Sequence, residues 1–149
     1  MKRFILALVA TVITAGAFAQ TSAPVKVVTG ADFVKFKEII HDFGKIKQNV
    51  PVTYDFMFNN VSDKPIVIES ASASCGCTTP QWPQTPIAKG KADKITAGFN
   101  AANVGPFNKT IYVKIAGVDK PVEVRIVGNV LTDVDYAKYE KEKDVKKSK

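Results

Sequence analysis

Cys75 and Cys77 stand either side of Gly76 and are the only two cysteines in the 149-residue sequence. Thiols at that spacing have three chemistries open to them. In the first, they form a disulfide, which needs Cα atoms roughly 4.4–6.8 Å apart. Residues two apart meet that limit when the backbone between them bends, and glycine is the residue that bends most freely. So small a ring adds little stability and is easily reduced, which would make it a redox or isomerase-like element. In the second, two thiolates clamp a soft ion such as Cu(I). A zinc site would want four ligands, and neither His41, the only histidine, nor Met57 is placed near the pair by the sequence. In the third, a strand from Ile66 runs on through Ser74 and alternation sends both sulfurs to one face. There they act as small apolar groups, with Gly76 a bulge and Trp82 folded over the edge. The structural reading leads; redox exchange and Cu(I) binding through Cys75 and Cys77 remain the alternatives.

Other reactive patterns are absent from the sequence. His41 and Asp42 are neighbours, and on a strand neighbours point to opposite faces. No serine sits in a nucleophile elbow, and neither cysteine shares a local signature with His41. Asp133 and Asp135 lie close together but border a lysine-rich tail, and no glycine-rich phosphate loop occurs. The expectation is a chain that is not an enzyme, with no catalytic, cofactor or metal residues beyond the two cysteines.

The N-terminus reads as an export signal. Met1-Lys2-Arg3 gives a positive start, Phe4 to Ala15 is almost wholly apolar, and Ala17-Phe18-Ala19 offers small residues for cleavage. An apolar run of roughly 12 residues is too short for a span, which takes about 20. Cleavage near Ala19 would leave Gln20 first, with no cysteine there for a lipid anchor, and a periplasmic or secreted protein. The formal charge of +7 falls to +5 once Lys2 and Arg3 leave with the signal. Much of the remainder is the tail, where six lysines between Lys138 and Lys149 face Glu140, Glu142 and Asp144. That tail lacks the arginines and interleaved aromatics of a nucleic-acid binder. Neither nucleic acid nor a membrane span is expected, and the oligomeric state is left open.

The elements that must position the cysteines are strands. Period-two alternation begins near Phe33 and recurs at Val34–Glu38, Val52–Phe58, Ile66–Ala71, Ile95–Phe99, Phe107–Ile115 and Val122–Val130. His41–Lys45 reads as a turn into a further short strand. Asn59–Pro65, Asn103–Pro106 and Gly117–Pro121 read as turns. Ser72–Lys91, with Pro80, Pro83 and Pro86, reads as irregular throughout. The fold class is therefore all-β, a sandwich of about seven antiparallel strands with the apolar faces meeting. The domain plan is a signal peptide at 1–19, a linker at 20–32 carrying a short edge strand at Val25–Val28, the sandwich at 33–132 and the tail at 133–149. The tail is expected to be a frayed helix or disordered, with Tyr136 and Tyr139 on one face.

Several segments occur together in a known order. They are Asp42-Phe43-Gly44-Lys45-Ile46, Phe56-Met57-Phe58-Asn59-Asn60, Ser74-Cys75-Gly76-Cys77-Thr78, Trp82-Pro83, Pro86-Ile87, Gly90-Lys91, Gly105 to Ile111 and Gly128-Asn129-Val130. In this the chain resembles the exported bacterial family of unknown function DUF1573, across roughly Phe33 to Val130. One departure is Ala88-Lys89-Gly90, where members often place a proline before the glycine, and it touches only a turn. The resemblance implies an immunoglobulin-like sandwich akin to major sperm protein and periplasmic chaperone domains, and it implies no activity. Together these features point to an exported, non-enzymatic binding or structural module with a protein partner. Its open sheet edges could accept an extended strand.

Overall fold

The computed structural model describes residues 29–147. The signal segment, its cleavage point at Ala19 and the edge strand expected at Val25–Val28 lie outside the described residues. Eight strands follow in chain order: β1 (Val34–Phe36), β2 (Ile40–Lys47), β3 (Val52–Asn60), β4 (Ile68–Ala73), β5 (Thr78–Gln81), β6 (Ala92–Phe99), β7 (Gly105–Ile115) and β8 (Val122–Leu131), then one helix, α1 (Asp133–Lys147). They form two four-stranded sheets, in the orders β1-β3-β6-β5 and β2-β8-β7-β4.

The sandwich forms because alternation gives each central strand one apolar face. Phe56 and Phe58 of β3 join Ile95, Ala97 and Phe99 of β6 on one inner face. Ile111, Val113 and Ile115 of β7 and Val124, Ile126 and Val130 of β8 line the other. Full burial of side chains of this size is worth about 1.5–3 kcal/mol each, which is why these four strands define the core.

Three strand expectations need correction. First, although the eight strands form the expected sandwich, β2 pairs parallel with β8 while the remaining strand pairs are antiparallel. Only Lys37–Ile39 separate β1 from β2, and no hairpin reverses the chain as it changes sheets. Second, His41–Lys45 lies within β2 as an irregularity in its pairing. Gly44 adopts φ +65° there, and its N–H donates to Asp42 Oδ1 at 2.7 Å. Third, the proline-rich stretch contains β5. In the β5–β6 ladder Pro80 faces Ala97. The Asn100 N–H donates to the Cys77 carbonyl, so by alternation the nitrogen of Pro80 faces outward, where an edge strand needs no donor.

The N-terminal flank of the domain also differs from expectation. Thr29, expected in a linker, bridges Lys120, and the Gly30 N–H donates to the Lys120 carbonyl at 3.1 Å. A Cβ on Gly30 would sit 2.4 Å from Val122 Cγ2, so glycine is what lets this segment close on the sheet. Within the tail, expected as a frayed helix or disorder, Asp133–Lys147 form the helix α1. Thr132 caps it: the Asp135 N–H donates to Thr132 Oγ1 at 3.2 Å, and the Thr132 hydroxyl donates to Asp135 Oδ2 at 2.7 Å. Tyr136 and Tyr139 do share a face, with their rings 6.1 Å apart, and Lys45 Nζ lies 4.7 Å over the Tyr139 ring. These contacts tie α1 to β2. Among the described residues no helix is long and apolar enough to cross a membrane.

Candidate functional site

The two cysteines lie in the turn between β4 and β5, where the chain passes from one sheet to the other. They are joined as a disulfide with Cα atoms 5.4 Å apart. β4 ends before Ser74, so the continuous strand that would have carried both sulfurs on one face does not exist. The turn breaks the alternation, and the Thr78 N–H donates to the Cys75 carbonyl at 3.3 Å to close it. Its ends are anchored to different sheets. The Ser74 N–H donates to the Thr110 carbonyl of β7 at 2.9 Å, and the Asn100 N–H donates to the Cys77 carbonyl at 3.1 Å.

Both cysteines are half-buried, and Gly76 is exposed. Gly76 does not have a positive φ, so conformation does not demand glycine there. A Cβ at Gly76 would meet nothing within 4 Å, so the approach over the turn is open. Cys77 packs against the core and borders two concavities. One, of about 210 Å³, is lined by Pro51, Val52, Thr53, Gly98, Phe99 and Asn100. The other, of about 90 Å³, includes Asn103, Pro106, Phe107 and Lys109. Cys75 Sγ instead lies 3.7 Å from the hydroxyl of Thr78, a residue only 4% exposed. A disulfide sulfur carries no proton, so Thr78 Oγ1 is the donor of that contact.

Sequence reasoning singled out the cysteines and missed Thr78, Asn100 and Gly98. A Cβ on Gly98 would approach Thr79 Oγ1 to 2.9 Å, so this glycine allows β5 to lie close on β6. A glycine inside an alternating strand was the available signal for it. Nothing local marks Thr78, whose role depends on the turn.

The other sequence candidates lie elsewhere. His41 is on β2, at the opposite edge of its sheet from β4. Three strand spacings separate those edges, roughly 14 Å. The His41 ring stacks on Tyr54 with centroids 3.5 Å apart, and Nδ1 is 3.7 Å from Glu38 Oε1. The Tyr54 hydroxyl donates to Glu38 Oε2 at 2.7 Å, and this bond to the carboxylate, with burial behind it, holds the phenol above its ordinary range. Asp42 is committed to Gly44 and does not join His41. Met57 is five residues along β3 from Val52, which borders the corner. At the rise of a strand that is roughly 16 Å away. Among the described residues no three His, Cys, Asp or Glu side chains converge as a metal site. In a disulfide neither sulfur is a thiolate, so the Cu(I) clamp is closed in this state. Asp133 pairs with Lys47 at 3.6 Å, and Asp135 with the Thr132 cap.

Comparison with known proteins agrees with the sandwich. A family model described as Protein of unknown function (DUF1573) matches residues 34–130. No curated protein matches the chain. Among solved structures, it is similar to the PapD-like domain 7 of human CEP192, with TM-score 0.58, 7% identity, and coverage of 83% of this chain and 99% of that one. It is also similar to a protein of unknown function from Porphyromonas gingivalis W83, with TM-score 0.55, 12% identity, and coverage of 74% and 51%. A third likeness is to the Vibrio cholerae VesB protease, with TM-score 0.52, 12% identity, and coverage of 66% and 32%. The chain thus spans about a third of the VesB chain and half of the P. gingivalis chain. At these identities the likeness is one of fold.

Proposed function

We propose that this chain, which belongs to the DUF1573 family, is an exported, non-enzymatic binding module that takes up an extended segment of a protein partner along the outer edge of β4. The observation that carries this reading is the contrast among the four edge strands. Natural edges are guarded by brevity, proline, bulges or lysine. β1 has three residues, β5 has four and contains Pro80, and β2 carries an irregularity with Lys45 and Lys47. β4 reads Ile-Glu-Ser-Ala-Ser-Ala, with neither proline nor lysine. Its guards lie only at the start, where the Ile66–Ile87 bridge covers the edge and the register shifts between Ile68 and Ser70.

The Ser74 N–H donates to β7. Alternation therefore turns the peptide groups of Ala71 and Ala73 outward. Among the described residues neither has a backbone bond to a segment outside its own sheet. The small neutral side chains beside them suit close approach of another backbone, the mode of strand addition. The N-terminal pattern supports export, and the fold likeness supports a protein-binding role only by analogy.

The test is a photo-crosslinking residue placed at Ser72 and, separately, at Lys35 in the full chain expressed in its host. Adducts to another protein from Ser72 alone, abolished by Ala73→Pro, are expected. Equal capture from Lys35, survival of capture in the Ala73→Pro variant, or adducts only to a second copy of the chain would overturn the reading. Cell fractionation tests export, and retention in the cytoplasm would refute it.

A further inference from the structure

We propose that the Cys75–Gly76–Cys77 turn is a thiol–disulfide exchange site for cysteine thiols of polypeptides, with Cys77 the sulfur attacked and Cys75 the leaving thiolate. The inference goes beyond the binding reading and does not depend on the β4 edge. As a staple the bond is redundant, because one residue already links the two cysteines and so short a loop gains little from closure. The Cys75–Thr78 turn bond and the anchors at Ser74 and Cys77 hold the crossover by backbone alone. The two sulfurs therefore stay close when reduced. Open space above Gly76 and the concavities beside Cys77 admit an incoming thiol.

The polarity follows from Thr78. Its hydroxyl contacts Cys75 Sγ at 3.7 Å, and that contact becomes a charge-assisted hydrogen bond once Cys75 carries negative charge. Sulfur exchange is faster when the leaving thiolate is the more stabilised one. A peptide thiolate attacks Cys77 Sγ, the Sγ–Sγ bond breaks, and Cys75 leaves as thiolate. A second thiol of the same peptide then attacks its own mixed-disulfide sulfur and releases Cys77. The peptide loses two electrons and becomes a disulfide. The cysteine pair gains them, and the two thiol protons end on Cys75 and Cys77.

The experiment mixes oxidised full chain with a reduced two-cysteine peptide, and separately with reduced glutathione followed by a rapid N-ethylmaleimide quench and peptide mapping. Expected are one peptide disulfide formed per chain, glutathione on Cys77 and the maleimide on Cys75. Thr78→Val should slow opening roughly tenfold, the worth of a hydrogen bond to a charged sulfur, while Thr78→Ser keeps the rate. If Thr78→Val fails to fold, the mapping of adducts on the unaltered chain decides. A pair that stays oxidised under both reagents, adducts predominantly on Cys75, or a folded Thr78→Val chain with an unchanged rate would overturn the proposal.

Discussion

The chain crosses between its sheets five times, and two successive crossings, into and out of β4, are built on opposite plans. The outward one, from β3 to β4, is organised by Asn60, which is 1% exposed. Its Nδ2 donates to the carbonyls of Lys64 and Ile87, both at 2.9 Å, and its Oδ1 accepts from the Ser62 N–H and hydroxyl. The backbone joins in, with the Asn60 N–H donating to the Lys91 carbonyl and the Gly90 N–H to the Asn60 carbonyl. The side-chain amide thereby joins two segments, Ser62–Lys64 and Ile87, and no buried side-chain polar atom among the described residues is left without a partner. The return crossing, from β4 to β5, is half-exposed and held by single backbone bonds with a disulfide laid over them. Removing the Asn60 amide from the first breaks one buried and three half-buried bonds at once. Removing a group from the second lets water take its place. The first crossing is thus built for rigidity and the second tolerates a change of covalent state.

That contrast can be broken by mutation. Asn60→Ala should lose about 3 kcal/mol in chemical denaturation, because the buried bond to the Ile87 carbonyl and the half-buried bonds to Lys64 and Ser62 go together, at about 1 kcal/mol each. A loss under about 1 kcal/mol would show that water or a rearranged loop replaces the amide. The double variant Cys75→Ser with Cys77→Ser should cost at most about 1.5 kcal/mol, the loop-closure value for so small a ring, with unchanged far-UV circular dichroism. A cost matching that of Asn60→Ala would make the disulfide a structural staple and erase the distinction.

Serines at the two crossings give a finer comparison. The Ser62 hydroxyl is shared between Asn60 Oδ1 and the Lys64 carbonyl, and Ser62→Ala should cost about 1 kcal/mol in the same denaturation assay. Ser74 Oγ only accepts from the Thr110 N–H at 3.2 Å in an exposed setting. Ser74→Ala should cost less than about 0.5 kcal/mol.

The smallest effect belongs to Asp55, on β3 apart from both crossings. Its bonds to Lys94 Nζ at 2.7 Å and Thr96 Oγ1 at 2.6 Å hold its carboxyl below the usual range. A depressed folded value means stabilisation that is present above the unfolded pKa of about 3.9 and lost as pH falls through the folded one. The pair is exposed, so Asp55→Asn should cost only a few tenths of a kcal/mol at neutral pH. Denaturation measured between neutral and acid pH should show that small difference shrink as the acid limit is approached.

Much of the sandwich was legible because its signal is local. Phe56 and Phe58 alternate with Asp55 and Met57, and that alternation alone sends the aromatic rings to one side. What misled was equally local. The prolines of 80–86 suggested an irregular stretch, yet Pro80 fits an edge strand whose outward nitrogen needs no bond. Asn59 and Asn60 looked like turn residues, but burial and the bonds to Lys64 and Ile87 keep Asn60 at the end of β3. The docking that rewards α1, through Lys45 and Tyr139, joins residues far apart in the chain and has no local signal.

By itself, then, the sequence determined which residues point inward, where the reactive sulfurs lie along the chain and which family's order of segments it shares. Each of these is fixed by neighbours a few positions apart. Only the tertiary structure decided that β2 runs parallel to β8, that the cysteines sit at a crossing between sheets, and that Thr78 faces Cys75 while Cys77 faces the concavities. Those relations depend on the direction in which distant strands meet, and the packing of the two sheets sets it through contacts that no local pattern encodes.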